Sequence, residues 1–225
     1  MTPTTEPGYL SAGRFSQWLE STRIAQRQDG GVEVPCGECN ACCRSSYFIH
    51  IQPEECRTLT RTPEELLFAA PGLPEGNVLL GYDENGRCPM LRDDECSIYE
   101  DRPLTCRNYD CRVFTAAGIA ADRVLIAERA QRWQFSYPAT DDHNQHSAVR
   151  AAASFLEGHR ECFPGGTAPD SPAQVAILAV KVYDVFLKHN VDSVESGRVP
   201  SDLEVAKAVV EASEKFEAGR GTAGK

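Results

Sequence analysis

The chain has 225 residues, enough to bury a real core as one large domain or two small ones. Apolar residues make up 41% of it and charged residues 25%, a composition typical of a soluble globular protein. The formal net charge of -10 argues against nucleic acid and against an anionic membrane surface, so we expect no partner of either kind.

The beginning of the sequence lacks the features of an export signal. Residues 1–10 contain no lysine or arginine, and no apolar run of signal-peptide length follows them. No stretch approaches the ~20 apolar residues of a transmembrane helix. We therefore expect a cytoplasmic protein, in which ten cysteines indicate metal or redox chemistry, although their even number would also fit a disulfide framework.

The first predicted element is an amphipathic helix over residues 11–27, preceded by a loose tail. Phe15, Trp18 and Leu19 recur at helical spacing, and the polar, glycine-containing segment 28–31 ends the helix. We expect this helix to pack on the core.

A dense cysteine loop follows the first helix. Four thiols fall within eight residues in the pattern C-x2-C-x2-C-C, a density that core packing does not require. The neighbours Cys42 and Cys43 diverge in extended backbone. Either they face different metals, or one is a ligand and the other is a free thiolate that could be reactive.

Short strands and helices are predicted after this loop. Residues 46–51 favour a strand in which His50 is packed or hydrogen-bonded rather than a ligand. A helix that opens at Pro53 carries Cys56 as an ordinary packed residue. A capping-box pattern predicts a second helix over residues 62–70.

A hairpin is predicted next. Residues 78–82 favour a strand and residues 83–86 a hairpin turn. The return strand would begin near Arg87 and carry Cys88 at the base of the hairpin.

The last clustered cysteines lie on turns. An acidic turn at residues 92–95 leads to Cys96, and Pro103 begins a short helical turn that carries Cys106. Residues five apart lie on different faces of an ideal helix, so Cys106 and Cys111 need a break between them to share a site.

The second half of the chain is predicted to be helical. Cys162 lies alone in a turn, and we expect it to be a bystander rather than a further ligand. We expect residues 220–225 to be disordered. The predicted helices cover residues 122–135 and 140–158, a segment from residue 172, and a segment from a capping box at residue 201 to residue 219.

These patterns predict a mainly α protein with a cysteine-rich, metal-organised half that contains short strands or hairpins, an α+β fold with small β content. We expect a metal-binding region over residues 30–112 and a helical region over residues 113–218 packed on it, together with helix 11–27 in one compact domain. The helical region would supply the core or a surface for a protein partner.

Eight thiols form the predicted metal-ligand set. Four thiolates close a tetrahedral zinc site, so eight suffice for two sites, and iron–sulfur clusters also use four cysteines. The first three cysteines match a bacterial ferredoxin spacing, but Cys43 follows directly where that motif has spacer residues. The cofactor is therefore zinc or iron, the iron as a mononuclear site or an iron–sulfur cluster. The set is Cys36, Cys39, Cys42, Cys43, Cys88, Cys96, Cys106 and Cys111.

Three arginines lie near these cysteines in the sequence: Arg44, Arg102 and Arg107. Several thiolates on a divalent ion leave net negative charge, which nearby guanidinium groups would offset. The alternative is that the three arginines are solvated and have partners elsewhere.

An ordered pattern runs through residues 36–111. It resembles the CxxCxxCC proteins, the YkgJ-type cysteine-cluster family, over about a third of the chain, and the resemblance implies zinc or iron chelation through the cysteines. Cys56 and Cys162 match no position of that pattern. The pattern comprises C-x2-C-x2-C-C-R at residues 36–44, Cys88-Pro89-x-Leu91, Cys96-Ser97-Ile98-Tyr99, Arg102-Pro103-x2-Cys106-Arg107 and Cys111.

Three functions are compatible with these residues. The leading one is a metal-binding protein. The second is a metal-dependent redox or group-transfer enzyme, which the sequence disfavours because it has no glycine-rich nucleotide loop, paired-histidine metal motif or GxSxG. The third is a zinc-stapled structural module whose helical half docks a partner.

Serine in place of Cys39 or Cys96 is expected to lower metal content and to destabilise the cysteine-rich half, because metal binding contributes to its folding energy. Elemental analysis and thermal unfolding of both variants provide the check. Unchanged metal content and melting temperature in both would contradict the predicted ligand set.

Overall fold

A computed structural model describes residues 8–28, 31–32, 34–163, 168–196 and 199–219, with side chains as far as residue 187 in the fourth of these ranges. The protein is 53% helical and 11% strand, which confirms the mainly α fold with small β content. None of the helices in these ranges combines the length and apolar character that a bilayer crossing requires. Of the loose tail predicted over residues 1–10, residues 1–7 lie outside the described residues, as does the segment 220–225, and Leu10 begins a strand.

The chain folds as two compact units. The helical unit comprises residues 1–28, 111–122 and 127–225, and the cysteine unit comprises residues 29–110 and 123–126. Eight α-helices and seven short strands lie in the described ranges. The helices are α1 (Phe15–Gln28), α2 (Cys56–Arg61), α3 (Leu104–Asn108), α4 (Arg112–Ala117), α5 (Val124–Gln131), α6 (Thr140–Gly158), α7 (Pro172–Ser196) and α8 (Asp202–Ala218). The strands are β1 (Leu10–Arg14), β2 (Ile49–Ile51), β3 (Leu67–Ala69), β4 (Val78–Leu80), β5 (Leu91–Arg92), β6 (Glu95–Cys96) and β7 (Trp133–Ser136).

The long C-terminal helices follow the predictions. Helix α6 has the predicted bounds, and α7 begins at Pro172. At the start of α8, the Glu204 N–H donates to the Ser201 hydroxyl at 3.4 Å, and the Ser201 N–H donates to the Glu204 carboxylate at 2.9 Å. This reciprocal pair is the predicted capping box.

The predicted helix over residues 122–135 is wrong in its second half. Helix α5 ends at Gln131, and β7 follows, with Trp133 and Phe135 buried and the residues between and after them exposed. That alternation has the period of a strand, and β7 pairs in parallel with β1. The same pairing explains why α1 begins at Phe15 and not at residue 11.

Two predictions in the cysteine unit are also wrong. The segment predicted as a helix over residues 62–70 forms a 3₁₀ helix, Glu64–Leu66, and then strand β3. Strand β4 pairs with β2 and β3, so no described strand returns from Arg87. Pairing with β4 overrides the local capping signal at residues 67–69, and pairing of β4 with β2 and β3 overrides the hairpin signal. The turn itself is present, because the Gly86 N–H donates to the Asp83 carbonyl at 2.9 Å.

The core of the cysteine unit is small. Ile51, Leu80, Met90 and Ile98 are buried together in it, and side chains that are partly buried pack around them. Cys88 and Cys96 belong to this second group. The short strands therefore place two of the predicted ligands against the apolar core.

A buried carboxylate joins three segments of the helical unit. The Asp142 side chain is fully buried, and the Arg14 guanidinium lies 3.0 Å from one of its oxygens. The Ser16 and Ala139 N–H groups donate to it at 3.0 and 2.9 Å. Burial alone would raise the pKa of Asp142, but the hydrogen bonds from Ser16, Arg14 and Ala139 outweigh it and hold that pKa well below its usual range.

Asp142→Asn is expected to lower the melting temperature at neutral pH, because the stabilising charge is lost. The lowered pKa means that this stabilisation is present above the usual aspartate range and disappears as the pH falls through the lowered pKa. The difference in melting temperature between wild type and variant should therefore narrow in acid. Asp141→Asn, at the exposed neighbouring position, is the matched control. Equal melting temperatures for all three proteins at neutral pH would refute the assignment.

Candidate metal centre

The cysteine loop is a series of tight turns. The Cys39 N–H donates to the Cys36 carbonyl at 3.1 Å, and Gly37 between them has a φ of 56°, a value that suits glycine. Cys42 and Cys43 lie on a 3₁₀ helix, Cys42–Arg44. Successive side chains of such a helix point about 120° apart, so the two neighbouring thiols diverge here on a helical turn and not in the extended backbone expected from the sequence.

A main-chain hydrogen bond joins the loop to the segment that carries Cys88. The Cys88 N–H donates to the Cys43 carbonyl at 2.7 Å. Nearby, the Ser46 N–H donates to the Gly86 carbonyl at 3.0 Å. These bonds fix the backbones of Cys43 and Cys88 beside each other.

Cys96 lies on a two-stranded hairpin, β5–β6, opposite Leu91. Asp93 and Asp94 connect the strands with positive φ angles of 49° and 66°, the conformation of a tight hairpin turn, which confirms the predicted acidic turn. The Asn40 side-chain amide donates to the Asp94 carbonyl at 3.1 Å, and Arg44 forms an ion pair with the Asp94 carboxylate. The hairpin is thus tied to the cysteine loop.

Cys106 lies on α3, the short helix predicted to follow Pro103. Glu55 holds the start of α3, because one oxygen of its carboxylate accepts the Leu104 N–H at 2.6 Å. The other oxygen accepts the Gln52 N–H at 2.9 Å, and the Glu55 carboxylate is only 9% exposed. The Thr105 hydroxyl also donates to the His50 carbonyl at 2.7 Å.

The thiols of Cys43 and its neighbours influence one another electrostatically. Burial, and to a smaller extent the nearby thiols of Cys88, Cys96, Cys39 and Cys36, together raise the pKa of Cys43 to about 12. Burial also raises the pKa of Cys88. These side chains are therefore neutral thiols around neutral pH unless a cation stabilises their thiolate forms.

Cys106 belongs to the same group. Burial, with smaller contributions from the thiols of Cys43, Cys88 and Cys96, raises the pKa of Cys106 to about 12. The Arg102 guanidinium opposes them. Six thiols from four separate segments are therefore linked electrostatically through Cys43, which interacts with each of the other five. They are Cys36, Cys39, Cys43, Cys88, Cys96 and Cys106.

The group is not closed into a coordination sphere. Within the ranges that the structure describes, histidine, cysteine, aspartate and glutamate side chains form no group of three or more spaced to hold a metal ion. The thiols are thus gathered near one another without the tight tetrahedral spacing of a zinc or iron–sulfur site.

Cys111 lies in the helical unit, directly before α4. Its buried sulfur accepts the indole N–H of Trp133 at 3.2 Å. Helix α3 ends at Asn108 and α4 begins at Arg112, which supplies the predicted break after Cys106. That Cys111 is a metal ligand stays a prediction.

The remaining candidate side chains lie elsewhere. The ring nitrogen Nε2 of His50 is hydrogen-bonded to the Asn77 amide oxygen at 2.8 Å, which confirms the expected hydrogen-bonded role. Cys56 is exposed at the start of α2, so its expected packing is wrong: the first turn of α2 points this side chain to solvent. Cys162 lies on a 3₁₀ helix of the helical unit.

The three arginines have different roles. Arg44 pairs with Asp94, and Arg107 lies 3.9 Å from the Glu55 carboxylate, so the alternative of partners elsewhere holds for both. Arg102 lies over the Tyr99 ring at 4.0 Å and acts electrostatically on the Cys106 thiol. Of the three, Arg102 is therefore the one placed to offset thiolate charge.

Sequence reasoning missed Glu55 and Asp94. Two glutamates follow Pro53, and nothing in the sequence distinguishes Glu55 from its neighbour Glu54. The partner of Glu55, Leu104, is 49 residues away. The acidic turn that contains Asp94 was predicted, but its contacts with Asn40 and Arg44 were not. No local pattern points to either contact, because both depend on how the segments fold together.

Comparison with known proteins identifies the segment that contains these thiols. Residues 35–137 match the CxxCxxCC family model. That model is described as a "putative zinc- or iron-chelating domain", and the match confirms the resemblance seen in the cysteine pattern. The match supports metal binding through clustered cysteines. No curated protein and no solved structure matches the chain significantly.

The side chains of the CxxCxxCC segment fit zinc or iron by their chemistry. Thiolates are the soft ligands that zinc and iron–sulfur clusters take in proteins. The six thiols gathered here are more than one four-coordinate site needs, and the charge of a cation would offset the mutual repulsion of their thiolate forms.

Glu55→Gln is expected to destabilise the protein by about 1–3 kcal/mol, because an amide group replaces one acceptor of a buried main-chain N–H. Urea unfolding measures the change. Glu54→Gln, at the exposed neighbouring position, should change stability by less than about 0.5 kcal/mol. If both variants unfold at the wild-type urea concentration, the Glu55 contacts do not hold α3.

Proposed function

We propose that the cysteine unit chelates zinc or iron, with Cys43, Cys88, Cys96 and Cys106 as the central ligands. The observation that supports this proposal is the gathering of these four thiols from four separate segments. Core packing alone would not require such clustering of cysteine. The family match adds independent support for metal binding.

Each segment has a distinct task in this proposal. The bond between the Cys88 N–H and the Cys43 carbonyl sets the distance between two ligand backbones. The β5–β6 hairpin presents Cys96, and Glu55 holds the helix of Cys106. When bound, the ion would supply a closed structural site if it were zinc, or electron transfer if it were an iron–sulfur cluster.

In this proposal Arg102 offsets part of the negative charge of the thiolates. Four thiolates around a divalent ion carry a net negative charge, and the Arg102 guanidinium acts on Cys106. Cys36 and Cys39 lie in electrostatic range of Cys43 and are the next candidates for ligands.

Coordination by Cys42 and Cys111, a protein partner for the helical unit and a cytoplasmic location stay predictions. A metal-dependent enzyme also stays an alternative, which an exchangeable ligand on the bound metal would favour.

The test is analysis of metal and acid-labile sulfide, with an absorption spectrum, on protein purified without oxygen. Cys43→Ser and Cys106→Ser are each expected to lose most of the bound metal to a chelator that leaves the wild type loaded. Each should also lower the melting temperature, because metal binding contributes folding energy.

Cys162→Ser is the control, since Cys162 lies in the helical unit and outside the predicted ligand set. Iron with sulfide and broad visible absorbance would identify an iron–sulfur cluster, and colourless protein with zinc would identify a zinc site. Wild-type metal retention in both the Cys43 and Cys106 variants would rule out the proposed central ligands.

A further inference from the structure

Three aromatic rings form an exposed cluster on the cysteine unit. Phe48, Phe68 and Tyr82, here called the aromatic patch, are 56%, 43% and 42% exposed. The Phe48 ring centroid lies 5.7 Å from that of Phe68, edge to face, and 5.0 Å from that of Tyr82. The rings are thus in contact with one another and still open to solvent.

The three-stranded sheet explains why the Phe68 ring faces outward. In the order β2-β4-β3, Ile51 and Leu80 point into the core and are fully buried. Successive side chains of a strand alternate between faces, so Phe68 lies on the opposite face from Leu67, the partner of Leu80. A Cβ at Gly81 would lie 3.4 Å from the Phe68 ring, so the rings close over bare backbone there.

The chain around the patch is acidic. Residues 62–86 contain five carboxylates and no lysine or arginine. All five are exposed: Glu64, Glu65, Glu75, Asp83 and Glu84. Asp83 and Glu84 directly follow Tyr82, and Glu64 and Glu65 lie on the 3₁₀ helix that precedes the strand of Phe68. The patch therefore combines ring faces, which attract cations, with a local excess of negative charge.

We propose that the aromatic patch docks an arginine-rich segment of a partner protein. Guanidinium groups are planar, stack on aromatic faces and bind carboxylates in two-pronged hydrogen bonds, so they match both features of this surface. This function is separate from metal chelation and does not depend on it.

Charge complementarity favours this occupant over two others. A second copy of the chain would bring the same five carboxylates against the first, and like charges repel. An anionic lipid surface would be repelled for the same reason. A cationic segment gains from both the rings and the carboxylates.

The test uses the full chain and a fluorescein-labelled synthetic peptide of alternating arginine and glycine at about physiological ionic strength, where long-range attraction is screened. Phe48→Leu with Phe68→Leu keeps the surface apolar but removes two ring faces. This variant is expected to bind the peptide about five- to tenfold more weakly in fluorescence anisotropy. The double variant Glu64→Gln/Glu65→Gln should also bind the peptide more weakly than the wild type. Its loss of affinity relative to the wild type should be larger at low salt, where charges are screened less.

Leu203→Ala, at an exposed apolar residue of the helical unit, should bind the peptide like the wild type. Melting temperature and metal content show that each variant is folded. If the wild type and the leucine variant bind the peptide equally, the peptide is attracted to the acidic protein in general and not to the rings, and the proposal is overturned. A dimer that the leucine variant abolishes in sedimentation, or flotation with anionic vesicles, would also overturn it.

Discussion

The hydrogen bond from the Cys88 N–H to the Cys43 carbonyl is the contact on which the cysteine unit depends. It joins a loop made of tight turns to the strands that surround the small apolar core. With Cys88 and Cys96 packed against that core, the bond brings Cys43 to them, and helix α3 adds Cys106. A few main-chain contacts therefore bring together thiols that are distant in sequence. The strands and helices of this unit are too short to do so by themselves.

In both units a buried carboxylate joins separate segments of the chain by accepting their main-chain hydrogen bonds. In the cysteine unit, Glu55 accepts main-chain N–H groups from two segments, and in the helical unit Asp142 does the same while pairing with Arg14. A carboxylate accepts several hydrogen bonds at once, and bonds to a charged acceptor are worth about 1.5–3 kcal/mol each. Each side chain thus replaces an element of regular structure as the connection between segments.

The sequence predicts features that depend on nearby residues. Helix α6 and the capping box at Ser201 follow from periodicity and spacing, as does the presence of a cysteine cluster. Strands β3 and β7 do not, because each exists through pairing with another strand, β4 for β3 and the distant β1 for β7, which overrides local propensity. Likewise, the cysteine spacing indicates a soft metal, but the gathering of particular thiols depends on tertiary contacts such as the one made by Glu55.

The parallel pairing of β1 with β7 has a consequence for synthesis on the ribosome. Strand β1 leaves the ribosome early, but its partner β7 and the Asp142 carboxylate that binds Arg14, 128 residues further on, are made much later. Most of the cysteine unit, residues 29–110, is translated in the interval. The bond between Cys88 and Cys43 can therefore form in the nascent chain while helix α1 still waits for the residues that complete its own unit.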